Sequence, residues 1–161
     1  MTPVRKLRVR NRLGAMTLDG SGVSFARATA QAEKALEAMR PGLLLSLREQ
    51  IESLAGRYGE AARASRDGAD FMAMYNDVMS IIDLSAAAPG AGVDQAAHSL
   101  CDVIDRCAMA DRWDWPAVEV HISALQLLAS EAPLDAAARR GMLDGLTKVA
   151  RKAAAGRDAA G

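Results

Sequence analysis

Aromatic side chains are scarce: two Trp, two Tyr and two Phe make up 4% of the 161 residues. An aromatic-rich sandwich core is therefore excluded, and the hydrophobic half of the chain must pack through aliphatic residues and alanine, which favours helix over sheet. Charge of one sign is lacking too, with 20 Lys plus Arg against 20 Asp plus Glu. A dedicated nucleic-acid binder needs a basic excess that this balance does not supply. No apolar run approaches the roughly 18 residues of a membrane span. The basic N-terminus is not followed by the apolar stretch of roughly 7–15 residues that a secretory leader requires. Cysteine is limited to Cys101 and Cys107. On one helix they would point about 120° apart, so no disulfide is expected between them, and a reducing cytoplasm is the expected setting.

Histidine is equally sparse, with only His98 and His121. His98 and Cys101 share a helix face, but Cys107 points elsewhere and no CxxC or HxxxH pair is present. Neither a metal site nor a haem attachment is expected, and no cofactor is implied. Cys107 and His121 flank one connection, without an evident third group to orient a nucleophile. The turn Pro89-Gly90-Ala91-Gly92 lacks the Lys and Ser/Thr of a phosphate loop and reads as a helix breaker.

What is present is helical periodicity. Residues 1–22 read as a basic arm carrying Arg5, Lys6, Arg8, Arg10 and Arg12, a handle for an acidic partner. Residues 23–155 read as a bundle, and 156–161 as a fraying end. Ser24 is placed to cap a first helix running to about Met39, with Phe25, Ala28, Ala32, Leu36 and Met39 on one face. Pro41-Gly42 should end it. A second helix follows from Leu43 to Tyr58 through Leu43, Leu44, Leu47, Ile51 and Leu54, stopped by Gly59. "EAARASRDG" reads as a polar connection with room for one helical turn. A third helix starts at Asp70 and carries Phe71, Met74, Tyr75, Val78, Ile81, Ile82 and Ser85 as a stripe to about Ala87. The fourth, from Val93 to about Ala108, presents Val93, Ala96, Ala97, Leu100, Val103, Ile104 and Cys107. Pro116 opens a fifth to about Ser130, with Val118, Ile122, Leu125 and Leu128. Beyond Pro133 a sixth, from about Leu134 to Ala155, carries Met142, Leu143, Leu146 and Val149. Of Trp113 and Trp115, one is expected to plug the bundle end and the other to lie on a partner surface. The fold class is thus all-α, an antiparallel bundle with a four-helix core and extra helices.

Several segments, in order, resemble the histidine phosphotransfer (Hpt) domains of bacterial two-component and chemotaxis signalling, most of all small stand-alone alphaproteobacterial members. "RVRNRL" and "ARATAQAEKALEAM" resemble the entry arm and first helix of that family. "HSLC" at 98–101 matches the end of the helix that follows the phosphoacceptor helix. "VEVHISALQLL" is similar to the pattern V-x-x-H-V/I-x-A-I/L, and "MLDGLTKVARK" to the ending G-L-x-K-L/V. The resemblance implies an Hpt-like bundle, but the phosphoacceptor of the H-D-I/L-K-G-like motif is missing. Counting back without a gap from Ser99-Leu100-Cys101 puts Met79 at the histidine and Ile82 and Asp83 at the Lys and Gly positions. A register with a short insertion puts Asn76 there instead. Neither side chain accepts a phosphoryl group as an imidazole does.

The implied function is a non-catalytic signalling adaptor, a pseudo-phosphotransfer protein that binds a response-regulator receiver domain or a sensor histidine kinase. Met79, Ile82 and Asp83 would form its docking face, with Met79 and Ile82 facing outward, and Arg5, Lys6 and Arg8 would assist. Two alternatives stand beside it: a helical protein that self-associates as a homodimer, and true phosphotransfer through His98 or His121.

Overall fold

The computed structural model describes residues 25–89, 91–132 and 134–155. Among them there are five α-helices, one turn of 3-10 helix and no strand: α1 (Phe25–Tyr58), the 3-10 turn Glu60–Ala62, α2 (Phe71–Ser85), α3 (Val93–Ala110), α4 (Trp115–Leu128) and α5 (Ala136–Ala155). The all-α expectation is met. The basic arm with Arg5, Lys6, Arg8, Arg10 and Arg12, the cap at Ser24, Pro133 and the C-terminal 156–161 lie outside the described residues.

The expected break at Pro41-Gly42 does not occur, and two anticipated helices are one, with Pro41 inside it. Proline withholds one backbone donor and costs about 3 kcal/mol in a helix interior, and glycine about 1 kcal/mol. On both sides, however, run Ala, Leu, Glu, Met, Lys and Arg, the strongest helix formers. Pro41 and Gly42 are also exposed, where water replaces a lost backbone partner.

The chain divides into two compact units, residues 1–38 and 39–161. In the first, the described part is helix throughout, and residues 26–38 are all exposed. The apolar face anticipated for this stretch is therefore not buried: Ala28, Ala32 and Leu36 face solvent, as does Met39 at the start of the second unit. Alanine is a helix former that contributes little burial, so propensity alone accounts for the regular backbone here.

The second unit holds the core. Helix α3 is its centre and packs against α2, α4 and α5. Every residue of its anticipated stripe, from Val93 to Cys107, is buried. The remaining core comes from Leu47, Ile51 and Leu54 of α1, Met74, Val78 and Ile81 of α2, Val118, Ile122 and Leu125 of α4, and Leu146 and Ala150 of α5. Polar ties hold the C-terminal part of α1 to α4: Arg48 Nε donates to the Ala129 carbonyl at 3.0 Å, and Gln126 Nε2 donates to both Glu52 oxygens at 3.1 Å. The connections from α2 to α3, α3 to α4 and α4 to α5 are short, the condition under which neighbouring helices run antiparallel.

Local chemistry sets the ends of the helices. The Asp70 carboxylate caps α2 by accepting from Met72 N at 2.7 Å and Ala73 N at 3.4 Å. Asp114 caps α4 through Ala117 N at 3.2 Å, with Pro116 in the first turn. Gly59 follows the last residue of α1 with extended backbone, and a Cβ there would sit 2.5 Å from the Ala55 carbonyl oxygen, so only glycine fits. Gly92 opens α3 at φ +85°, in the left-handed region, where a Cβ would also press on Leu143 Cδ1 at 3.0 Å.

Candidate functional site

Helix α2 has two faces. Met74, Val78, Ile81 and Ser85 are buried. Met72, Asn76, Met79, Ser80 and Asp83 are exposed, Met72 at 64% and Met79 at 37%. Spacings of three and four residues place this second group on one strip of the helix. Both positions that the resemblance equates with the missing histidine, Met79 and Asn76, therefore sit on the solvent side. Ile82 corrects the expectation of an outward residue: it is half-buried and packs against the core, because it follows Val78 by one helical turn. Helix α2 contains no His, Lys or Arg. It offers neither an imidazole nor a cation to a phosphoryl group. Asp77, at the edge of the strip, is held by Arg57 Nη1 at 2.8 Å and by the Tyr58 hydroxyl at 3.3 Å.

The histidines lie elsewhere. His98 is exposed on α3. His121 is fully buried on α4, and its surroundings define its protonation. Its Nδ1 lies 2.7 Å from the Ala117 carbonyl oxygen, which can only accept, so Nδ1 carries the hydrogen. Burial holds the imidazole below its usual pKa of 6.5, outweighing the Ala117 bond and the Asp102 charge, and keeps it neutral. Nε2 is then a bare acceptor, and the Ser99 hydroxyl donates to it at 2.9 Å. Residue order set Cys107 near His121 without a third group to orient them; the fold places Ser99 beside His121 instead, across the α3–α4 contact. The only sequence signal for this is that both residues occupy helix positions, with nothing to give the register between the helices.

Cys101 and Cys107 are free and buried. Burial, reinforced by Asp105 and Asp102, pushes the Cys101 thiol up to about 11. Such a thiol is a small hydrophobe rather than a ligand or nucleophile. Among the described residues no group of three or more His, Cys, Asp or Glu side chains could hold a metal ion.

The end of the bundle near Trp113 differs from expectation. Both tryptophans are half-buried, so neither alone plugs the bundle end. Trp113 and Trp115 stack on each other at 4.6 Å, Phe71 covers the Trp113 side at 4.3 Å, and the Arg66 guanidinium lies 4.4 Å from the Trp115 ring. Arg66, in the stretch read as a polar connection, is only 4% exposed. It donates to the Tyr58 and Gly59 carbonyls at 3.1 and 2.8 Å, and to Glu119 at 2.6 Å. Arg63 reaches the same carboxylate at 3.2 Å. The hydrogen bond from Arg66 holds Glu119 below the usual carboxylate pKa. This cluster fastens the segment after α1 to α4 and is architectural.

No known family model matches the chain, and neither do curated proteins or solved structures.

Proposed function

We propose that this bundle is a non-catalytic signalling adaptor, a pseudo-phosphotransfer protein that docks a receiver domain or a sensor kinase through the outward strip of α2. The observation that carries the reading is the exposure of Met79 and Asn76 together on a helix devoid of His, Lys and Arg. Whichever register is taken, the position equivalent to the phosphoacceptor remains on the surface while its chemistry is gone. The order of the resembling segments, one on each of α1, α3, α4 and α5, supports the same reading. Methionine side chains at the strip give flexible, polarizable contact area suited to an apolar partner patch. The adaptor would thereby alter phosphorelay flux by occupying a partner, without carrying phosphate.

The reading is tested by calorimetric titration of the full chain against receiver domains and kinase domains from the same genome. A companion incubation with a phosphorylated receiver is followed by assay for acid-labile phosphate. Saturable binding without phosphate transfer is the expected outcome. Acid-labile label on His98 or His121 would replace the adaptor with a phosphotransferase.

A second reading, self-association, is favoured by one observation. Between α4 and α5 runs an apolar groove of about 340 Å³ in which Val120 is 48% and Leu127 45% exposed beside Met142 and Val149. Light scattering distinguishes the two: a monomer leaves α2 as the working surface, whereas a dimer broken by Leu127→Asp assigns that role to the groove.

A further inference from the structure

Ser99 lines a cleft that the adaptor reading does not use, and His121 lies behind it, fully buried. The cleft has a volume of about 490 Å³ and is built from α3 and α5, with Gln95, His98, Ser99, Asp102 and Arg106 on one side and Thr147 and Arg151 on the other. Such a volume falls in the range of small-molecule sites. Its floor is unusual for a helical bundle. A serine in mid-helix ordinarily returns its hydroxyl hydrogen to a carbonyl one turn back. Ser99 instead donates to a neutral imidazole on another helix, 22 residues away in sequence. That imidazole is oriented by a third group, the Ala117 carbonyl. A nucleophile, a base with its lone pair on the nucleophile, and a group that holds the base define an activated hydroxyl. Two arginines, one on each side, bring positive charge to the cleft. Arg106 is partly engaged with the Ala150 carbonyl. The acid in the cleft is Asp102.

We propose that Ser99 is an acyl-acceptor site, modified by an activated ester or thioester whose acyl group bears a carboxylate. In the reaction Ser99 Oγ attacks the carbonyl carbon and a C–O bond forms. The hydroxyl proton passes to His121 Nε2. The bond from the carbonyl carbon to the alkoxide or thiolate leaving group breaks, the leaving group takes a proton from water in the cleft, and Nε2 returns its own proton to solvent. The products are O-acylated Ser99 and a free alcohol or thiol, with His121 neutral as at the start. Arg106 and Arg151 attract the carboxylate of the acyl donor. The site is independent of α2, so its failure leaves the docking face untouched.

The test uses the full-length protein with two chromogenic esters, p-nitrophenyl acetate and mono-p-nitrophenyl succinate, followed by intact mass measurement and peptide mapping. One acyl group should appear on Ser99 well ahead of the exposed Ser53 and Ser123. The succinyl ester should react about tenfold faster than the acetyl ester, the ratio expected for one charge-assisted contact. Arg151→Gln should reduce that preference, and Ser99→Ala should abolish the adduct. His121→Gln, if its circular dichroism remains native, should abolish it also. In strong urea the wild-type preference for Ser99 should vanish, because the pair exists only in the folded chain, and this arm needs no variant. Labelling of Ser99 no faster than of Ser53 and Ser123 in the native protein overturns the proposal. So does an adduct that survives in folded His121→Gln. Equal rates for the two esters overturn the assignment of an anionic donor.

Discussion

Glu119→Gln removes the carboxylate that faces the buried Arg66 guanidinium. Arg66 is 4% exposed and its guanidinium meets Glu119 at 2.6 Å, so the substitution leaves a buried cation without its carboxylate. Removing one partner of a buried pair costs about 3–5 kcal/mol. Glu119 itself is only partly buried, and Arg66 keeps two carbonyls and the Trp115 face, so about 3 kcal/mol is the working figure. For a chain of this size that lowers the melting midpoint by about 6–12 °C. Arg66→Met removes the cation and retains an apolar stem against Trp115. The double variant should then be less destabilised than the sum of the singles, with a coupling of about 2 kcal/mol. Urea unfolding with linear extrapolation measures all four corners of the cycle. The pH dependence gives an independent check. Because Glu119 titrates below its ordinary value of 4.5 when folded, its contribution is present above that value and is lost as pH falls through the folded pKa. The acid limb should be shallower in Glu119→Gln. Strict additivity in the cycle would refute the claim that the pair acts as a unit.

Two further outcomes follow from the same geometry. Gly92→Ala forces a side chain into the left-handed region and against Leu143 Cδ1 at 3.0 Å, and should cost about 1–2 kcal/mol by chemical denaturation; an unchanged midpoint would show that the α2–α3 turn rearranges freely. Cys101, with its thiol pushed up to about 11, and the buried Cys107 should react with iodoacetamide far more slowly in buffer than in urea, and fast native alkylation of either would contradict their burial.

The elements with strong periodicity were legible from residue order. The α3 stripe from Val93 to Cys107 is buried as its spacing predicts, and Asp70 and Pro116 mark helix starts where their chemistry places them. At Pro41 a local breaker signal competed with long runs of helix formers on both sides, and the runs prevailed. Arg66 was hidden for another reason. A charged residue between polar neighbours reads as solvated, and the burial of this one depends on Trp115 and Glu119, some fifty residues on. The two tryptophans likewise needed Phe71 and Arg66 to show that they close on each other. For the docking strip, residue order supplied Met79 and Asn76 as rival positions, and the helix places both outward. The Ser99–His121 pair depends on the register of α3 against α4, which no single-helix pattern encodes.

The direct test of the docking account is the affinity of Met79→Asp, beside wild type, for a receiver or kinase domain that the wild type binds. The exposed carboxylate stays hydrated in the free bundle, so the melting midpoint should shift by no more than the equivalent of about 0.5 kcal/mol. In a dry contact centred on α2 the same group loses its water, and affinity should fall by about 2 kcal/mol, roughly thirtyfold. An unchanged affinity, with the midpoint equally unchanged, would contradict α2 as the docking surface.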